Sequence, residues 1–143
     1  MARLKDLFFK SWTKIHEVIF KVTKGRLLGK LRGMEVGLLA TTGRKSGERR
    51  ETMLTCPIVE DGRVVLVASY YGDTRNPAWY LNLRAQPEVE ITMHGRTTPV
   101  VARVVEGDER AALWPRVVAS YAPYARYQDK TDREIPLVML DPR

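Results

Sequence analysis

The residues best equipped for chemistry stand in one short turn, Gly43, Arg44, Lys45, Ser46 and Gly47. In five positions it offers backbone N–H groups, a hydroxyl and two cations. That is the equipment for holding an anionic group such as a phosphate. A strand pair and a short helix opened by Asn76–Pro77, carrying Trp79 and Asn82, follow the turn. Other chemistries lack their parts. Cys56 is the single cysteine, and His16 and His94 are far apart, so no metal site is expected. Ser46 and Ser69 have no His or Asp spaced to activate them. Carboxylates are scattered, and neither a G-x-G-x-x-G after a strand nor a Walker sequence is present. A catalyst with this composition needs a cofactor for the reaction itself, with the protein supplying position and electrostatics.

The elements that must position these residues can be read in order. Leu4, Phe8, Trp12, Ile15, Ile19 and Val22 recur at helical steps, so residues 3–24 are expected to form an amphipathic helix. Lys10, Lys14, Lys21 and Lys24 fall on its other side. Gly25, Gly29 and Gly33 mark a basic link. Strands are expected at 34–41, about 50–59 and 63–69, with a hairpin turn at Asp61–Gly62. Asn76 is expected to cap a helix whose first residue is Pro77 and which stops before Pro87. Residues 88–93 and 97–105 read as a hairpin turning at His94–Gly95. Asp108 is expected to cap a helix that Pro115 kinks. Tyrosines at 121, 124 and 127 follow, and 135–140 read as a last strand. Strands in hairpins with interrupting helices favour an antiparallel α+β barrel over a doubly wound sheet.

The 143 residues suffice for one core, in a body expected over 34–143 behind a leader over 1–33. The net charge of +7 lies wholly in the leader, which carries nine Lys and Arg against two acids; the rest has fifteen of each sign. A neutral body argues against a nucleic-acid surface, and no nucleic-acid partner is expected. The leader either packs on its own body or lies on an anionic membrane. No spanning helix or secretory signal is apparent, and a lone cysteine fits a reduced cytoplasm. The expected location is cytoplasmic, with peripheral contact at the inner face of the cell membrane.

Four segments resemble one known family. They are TTGRKSG (41–47), VEDGRVVLVAS (59–69), NPAWYLNLRAQPEVEI (76–91) and SYAPYARYQDKTDREIPLVML (120–140). Together they are similar to the deazaflavin-dependent nitroreductases, actinobacterial oxidoreductases that use coenzyme F420. The resemblance covers roughly residues 26–143, and the leader resembles that of membrane-associated members. It implies a split β-barrel of the FMN-binding split-barrel-like type. It implies that Arg44, Lys45 and Ser46 hold the cofactor's phosphate and acidic tail, with Arg50 adding charge. The strand through Glu51, Thr52, Met53, Leu54, Thr55 and Cys56 would line the cofactor. Val67, Ala68 and Ser69 would present backbone groups to its ring, beside Tyr70, where members often carry Lys. Ala78, Trp79, Tyr80, Leu81 and Asn82 would supply further contacts. Tyr121, Tyr124 and Tyr127 would wall the substrate pocket, and Ser69 would hydrogen-bond the acceptor.

The implied activity is hydride transfer from reduced coenzyme F420 to a small electron-poor acceptor: a quinone, a nitroaromatic or an activated enone. Two alternatives stand beside it: FMN or haem on the same barrel, and a non-catalytic deazaflavin carrier. The leader yields its own prediction. Each basic residue near an anionic bilayer contributes on the order of 1 kcal/mol, and the apolar stripe adds burial. Full-length protein is expected to sediment with anionic vesicles, less with neutral ones, and to be partly released by high salt. Protein that ignores anionic vesicles, and unfolds when residues 1–33 are removed, would make the stripe core packing.

Overall fold

The computed structural model describes residues 30–143, so the helix expected over 3–24 lies outside the described residues. Eight strands and three helices are present among them. In chain order they are β1 (Lys30–Leu31), β2 (Met34–Thr42), β3 (Arg49–Cys56), β4 (Ile58–Glu60), β5 (Arg63–Val67), α1 (Ala78–Ala85), β6 (Glu88–Met93), β7 (Arg96–Val105), α2 (Gly107–Ser120), α3 (Pro123–Asp129) and β8 (Leu137–Pro142). A 3₁₀ turn, Tyr70–Gly72, follows β5.

All pairings are antiparallel, and they run in a ring. The order is β2, β6, β7, β8, β5 and β4, with β3 on the other side of β2. β3 and β4 are two halves of one extended stretch broken at Pro57. Cys56 pairs with Glu35 of β2, and two residues later Ile58 pairs with Val65 of β5. The sequence reads 50–59 as one strand; Pro57 splits it because proline has no ladder donor and fixes its own φ. Among the described residues β3 pairs with β2 alone, so between β3 and β5 the barrel is split.

The two hairpin turns are as read. Asp61–Gly62 and His94–Gly95 each take the paired positive φ values of a type I′ turn. β5 shows why its sequence lacks alternation. Val64 and Leu66 pack inside the barrel with Leu39, Ile91, Val138 and Leu140, and α1 adds Trp79, Tyr80 and Leu83. Val65 and Val67 face the other way, onto Leu113 and Val117 of α2 and Tyr124 of α3. A strand covered on both faces reads as one apolar run.

Three local expectations are corrected. Pro77 is the N-cap of α1 rather than its first residue, and Asn76 does not cap it, because its side chain is engaged elsewhere. Glu106, not Asp108, caps α2, which begins at Gly107 and continues through Pro115. The tyrosine run is divided: Tyr121 ends α2, and Tyr124 and Tyr127 lie on a short helix, α3, with Pro123 in its first turn. The body also reaches behind residue 34, since Lys30–Leu31 pairs with β2 at Met34 and Glu35.

Candidate active site

The split between β3 and β5 opens onto two neighbouring cavities. The larger, ≈ 680 Å³, is bounded by Thr52 to Thr55 of β3, Val67 at the end of β5 and Ser69 after it, the start of α1, Tyr121 at the end of α2, and Tyr124 and Tyr127 of α3. The smaller, ≈ 570 Å³, is bounded by the turn Gly43–Ser46, Arg49 to Thr52, and Asn82. Thr52, Ala78 and Trp79 line both, so one apolar and one basic chamber meet at the start of α1.

The basic chamber is built by the β2–β3 turn. Gly43 donates to the Glu48 carbonyl at 2.7 Å and accepts from Gly47 N–H at 2.8 Å. A Cβ at Gly43 would stand 2.6 Å from Ser46 Oγ and 3.3 Å from the Glu48 carbonyl oxygen, so a side chain there would push the Ser46 hydroxyl from its place. Ser46 Oγ accepts from the Glu48 N–H at 3.1 Å and from Arg50 Nη2 at 3.4 Å. Buried Asn82 anchors the turn to α1. Its Oδ1 accepts from Arg44 N at 3.2 Å and Arg44 Nη1 at 3.0 Å, and its Nδ2 donates to Thr41 Oγ1 at 3.4 Å. Arg44 therefore leans on a neutral amide, and among the described residues no carboxylate pairs with it. Arg50 is paired with Glu48 at 3.4 Å, and Arg49 with Glu90 at 3.0 Å. Glu51 places one acid on the same wall.

The apolar chamber is walled by aromatics in edge contact. Tyr121 and Tyr124 have ring centroids 5.2 Å apart, Tyr124 and Tyr127 6.1 Å, and Tyr127 and Tyr71 5.9 Å. The interplanar angles of 78–80° are the edge-to-face geometry that ring quadrupoles prefer. Tyr124 is the buried member, with its hydroxyl 3.0 Å from Thr55 Oγ1 and 3.7 Å from Met34 Sδ. Burial pushes its phenol up to about 12, against the opposing effect of the Thr55 hydrogen bond. Burial also raises Tyr127, with Tyr121 adding to the shift. Tyr124 and Tyr127 thus hold their protons at neutral pH.

The structure brings most of the expected residues together. Arg44, Lys45, Ser46, Arg50, Glu51 and Asn82 line the basic chamber. Met53, Leu54, Thr55, Val67, Ser69, Tyr70, Tyr121, Tyr124 and Tyr127 line the apolar one. Four expected contacts lie elsewhere. Cys56 is buried in the barrel core, where desolvation pushes its thiol up to about 12. Ala68 is fully buried, and both its backbone groups are taken: its N–H by the Pro136 carbonyl, its C=O by Arg133. Tyr80 is core, with its hydroxyl accepting from Arg84 at 2.9 Å. Leu81 lies on the exposed side of α1, one residue off the face that carries Trp79 and Asn82.

Four lining residues of the apolar chamber escaped the sequence reading, Arg32, Val36, Tyr71 and Pro77, as did Arg49 of the basic one. Arg32 lies in the β1–β2 turn with its guanidinium 5.6 Å from the Tyr121 ring. Tyr71 was within reach of sequence reasoning, since it directly follows the strand end that carries Ser69 and Tyr70. Arg133 had no local signal, because its acceptors lie 57 to 65 residues earlier.

A split antiparallel barrel with an apolar chamber opening into a basic one suits a class of protein that holds a ring cofactor with an anionic tail. Comparison with known proteins narrows it. The profile of the F420H(2)-dependent quinone reductases matches residues 12–142. An F420H(2)-dependent quinone reductase of Mycobacterium tuberculosis is 39% identical over 135 residues, 91% of this chain and 89% of the relative. A second protein of that organism, a putative F420H(2)-dependent quinone reductase, is 42% identical over 106 residues, 74% of this chain and 88% of the relative. The solved structure of an F420-H2 dependent reductase, FDR-A, superposes with TM-score 0.68 at 41% identity, covering 74% of this chain and 93% of that one. The chain belongs to the F420H(2)-dependent quinone reductase family. It is a split-barrel oxidoreductase whose cofactor is coenzyme F420.

The Tyr124 phenol sets an alkaline limit on stability. Below pH 10 the phenol is protonated in both folded and unfolded chains, and its contribution is fully present. Between pH 10 and about 12 the unfolded chain loses the proton first, so stability falls as pH rises. Tyr124→Phe is expected to flatten that fall in Tm across this window. At neutral pH it should cost about 1 kcal/mol for the lost Thr55 hydrogen bond. Identical alkaline slopes for the two proteins would contradict the assignment.

Proposed function

We propose that the protein reduces a quinone with reduced coenzyme F420, the cofactor's anionic tail lying in the basic chamber and its ring in the apolar one. The observation that carries this is the junction of the chambers at Thr52, Ala78 and Trp79. A flat ring joined to a phosphorylated acidic tail needs such a pair of adjoining environments. Among the described residues neither Arg44 nor Lys45 is ion-paired, so both charges are available to an anion. Charge-assisted bonds from them, with the turn's N–H groups, suit a phosphate.

The bound coenzyme supplies a hydride; the chain does the rest. Thr52, Leu54 and Thr55 would flank the ring from β3, whose outer edge no strand among the described residues pairs, with Val67 and Trp79 across the chamber. Ser69 offers a hydroxyl to the acceptor's oxygen, where negative charge develops. Tyr121, Tyr124 and Tyr127 exclude water and hold the acceptor flat against the ring. The acceptor reaches the site from an anionic membrane on which the leader ahead of β1 rests, a reading supported by the excess of Lys and Arg over acids in that leader. No helix among the described residues is long and apolar enough to cross a membrane.

Fluorescence titration with coenzyme F420, FMN and haem tests the assignment of the chambers. The native protein should prefer coenzyme F420. The Arg44→Ala/Lys45→Ala double variant should bind it at least severalfold more weakly at low salt, and the two proteins should converge at high salt as exposed charges are screened. Unchanged binding by the double variant at low salt would remove the tail from this turn.

A further inference from the structure

Arg133 stands outside both chambers, between α3 and β8, yet its guanidinium reaches four acceptors behind the lip of the apolar chamber. Nε donates to the Asp73 carbonyl at 2.9 Å. Nη1 donates to the Ala68 carbonyl at 3.2 Å and to Asn76 Oδ1 at 3.0 Å, and Nη2 to the Ser69 carbonyl at 2.8 Å. All four acceptors are neutral oxygens. Burial among them lowers the Arg133 pKa, with the nearby Asp73 carboxylate opposing the shift. A cation held this way contributes geometry more than stability.

What it holds is a strained segment. Tyr70 and Tyr71 both have positive φ, 45° and 56°, a region that side chains with a Cβ seldom occupy. Gly72 follows at φ 82°, and a Cβ there would stand 2.7 Å from the Tyr127 carbonyl, so the segment is pressed against α3. Arg133 is itself fixed. Its carbonyl accepts from Gln128 Nε2 at 2.7 Å, and Gln128 Oε1 accepts from the Ile135 N–H at 2.8 Å.

We infer that Arg133 is a positioning residue for the acceptor, clamping segment 68–76 so that Ser69 and the Tyr70–Tyr71 lip keep their places on the apolar chamber. The inference rests on the proposed use of that chamber for a quinone. Arg133 touches neither the basic turn nor β3, so its loss should affect turnover and spare cofactor binding. The guanidinium fork is the essential feature: a lysine keeps the charge but cannot span four acceptors.

The test compares native protein with Arg133→Lys and Asn76→Ala, the second removing one acceptor and leaving three. A soluble naphthoquinone serves as acceptor, and deazaflavin affinity is read by fluorescence. Arg133→Lys should lower kcat by about tenfold to a hundredfold, the scale of a small misplacement at a reacting centre. Its affinity for coenzyme F420 should be nearly unchanged, and Asn76→Ala should show a smaller loss in the same direction. Unchanged kcat in folded Arg133→Lys overturns the inference, as do equal losses of affinity and turnover. If Arg133→Lys does not fold, unchanged kcat in Asn76→Ala overturns it. If native protein shows no quinone turnover, the functional reading fails, and tryptic cleavage after exposed Arg75 still tests the clamp. Faster cleavage in Arg133→Lys or Asn76→Ala supports the clamp; unchanged cleavage in both overturns it.

Discussion

The constraint on which the structure depends is the change of partner at Pro57. A single extended stretch cannot serve β2 and β5 along its whole length, and proline divides it. Up to Cys56 it pairs with β2; from Ile58 it pairs with β5. The ring of strands closes through this bend, and the same bend keeps β3 and β5 apart farther along. A continuous ladder there would have filled the gap with main-chain hydrogen bonds. Among the described residues no strand pairs with the outer edge of β3, and the apolar chamber lies between that edge and the end of β5.

Everything at the site is hung on that gap. α1 enters where β5 ends, burying Trp79, Tyr80 and Leu83 in the barrel and turning Asn82 towards the basic turn. Asn82 ties the two chambers mechanically, since one buried amide fixes both the backbone and the guanidinium of Arg44. On the far side, the end of α2 and α3 bring Tyr121, Tyr124 and Tyr127 against the strand that Pro57 set free, and Tyr124 bonds directly to Thr55 of β3. The chemistry asked of these residues is modest. They separate an apolar ring environment from a charged tail environment and keep water out of the first.

The sequence exposed the parts of this that are local. Hairpin turns at Asp61–Gly62 and His94–Gly95, the two-sided burial of β5 and the basic turn all have short-range signals, and the family resemblance placed the tyrosines on the substrate wall. What was hidden is set by distant contacts. Asn76 looks like a helix cap, but its amide is claimed by Arg133, 57 residues away. Ala68 looks available to a ligand beside Ser69, but the same arginine takes its carbonyl. Cys56 sits in a lining strand, yet strand alternation and the approach to Pro57 turn it into the core. Arg32 sits in what reads as a mobile link and stacks on Tyr121.

The central claim is that the open edge of β3 receives the deazaflavin while the basic turn receives its tail. Amide hydrogen exchange with and without oxidised coenzyme F420 tests it directly, because edge N–H groups are exposed until something covers them. The account predicts slowed exchange at alternate residues of 52–55 and at 44–47, with little change in β7 and β8. Binding of the coenzyme with unchanged exchange in both segments would contradict it.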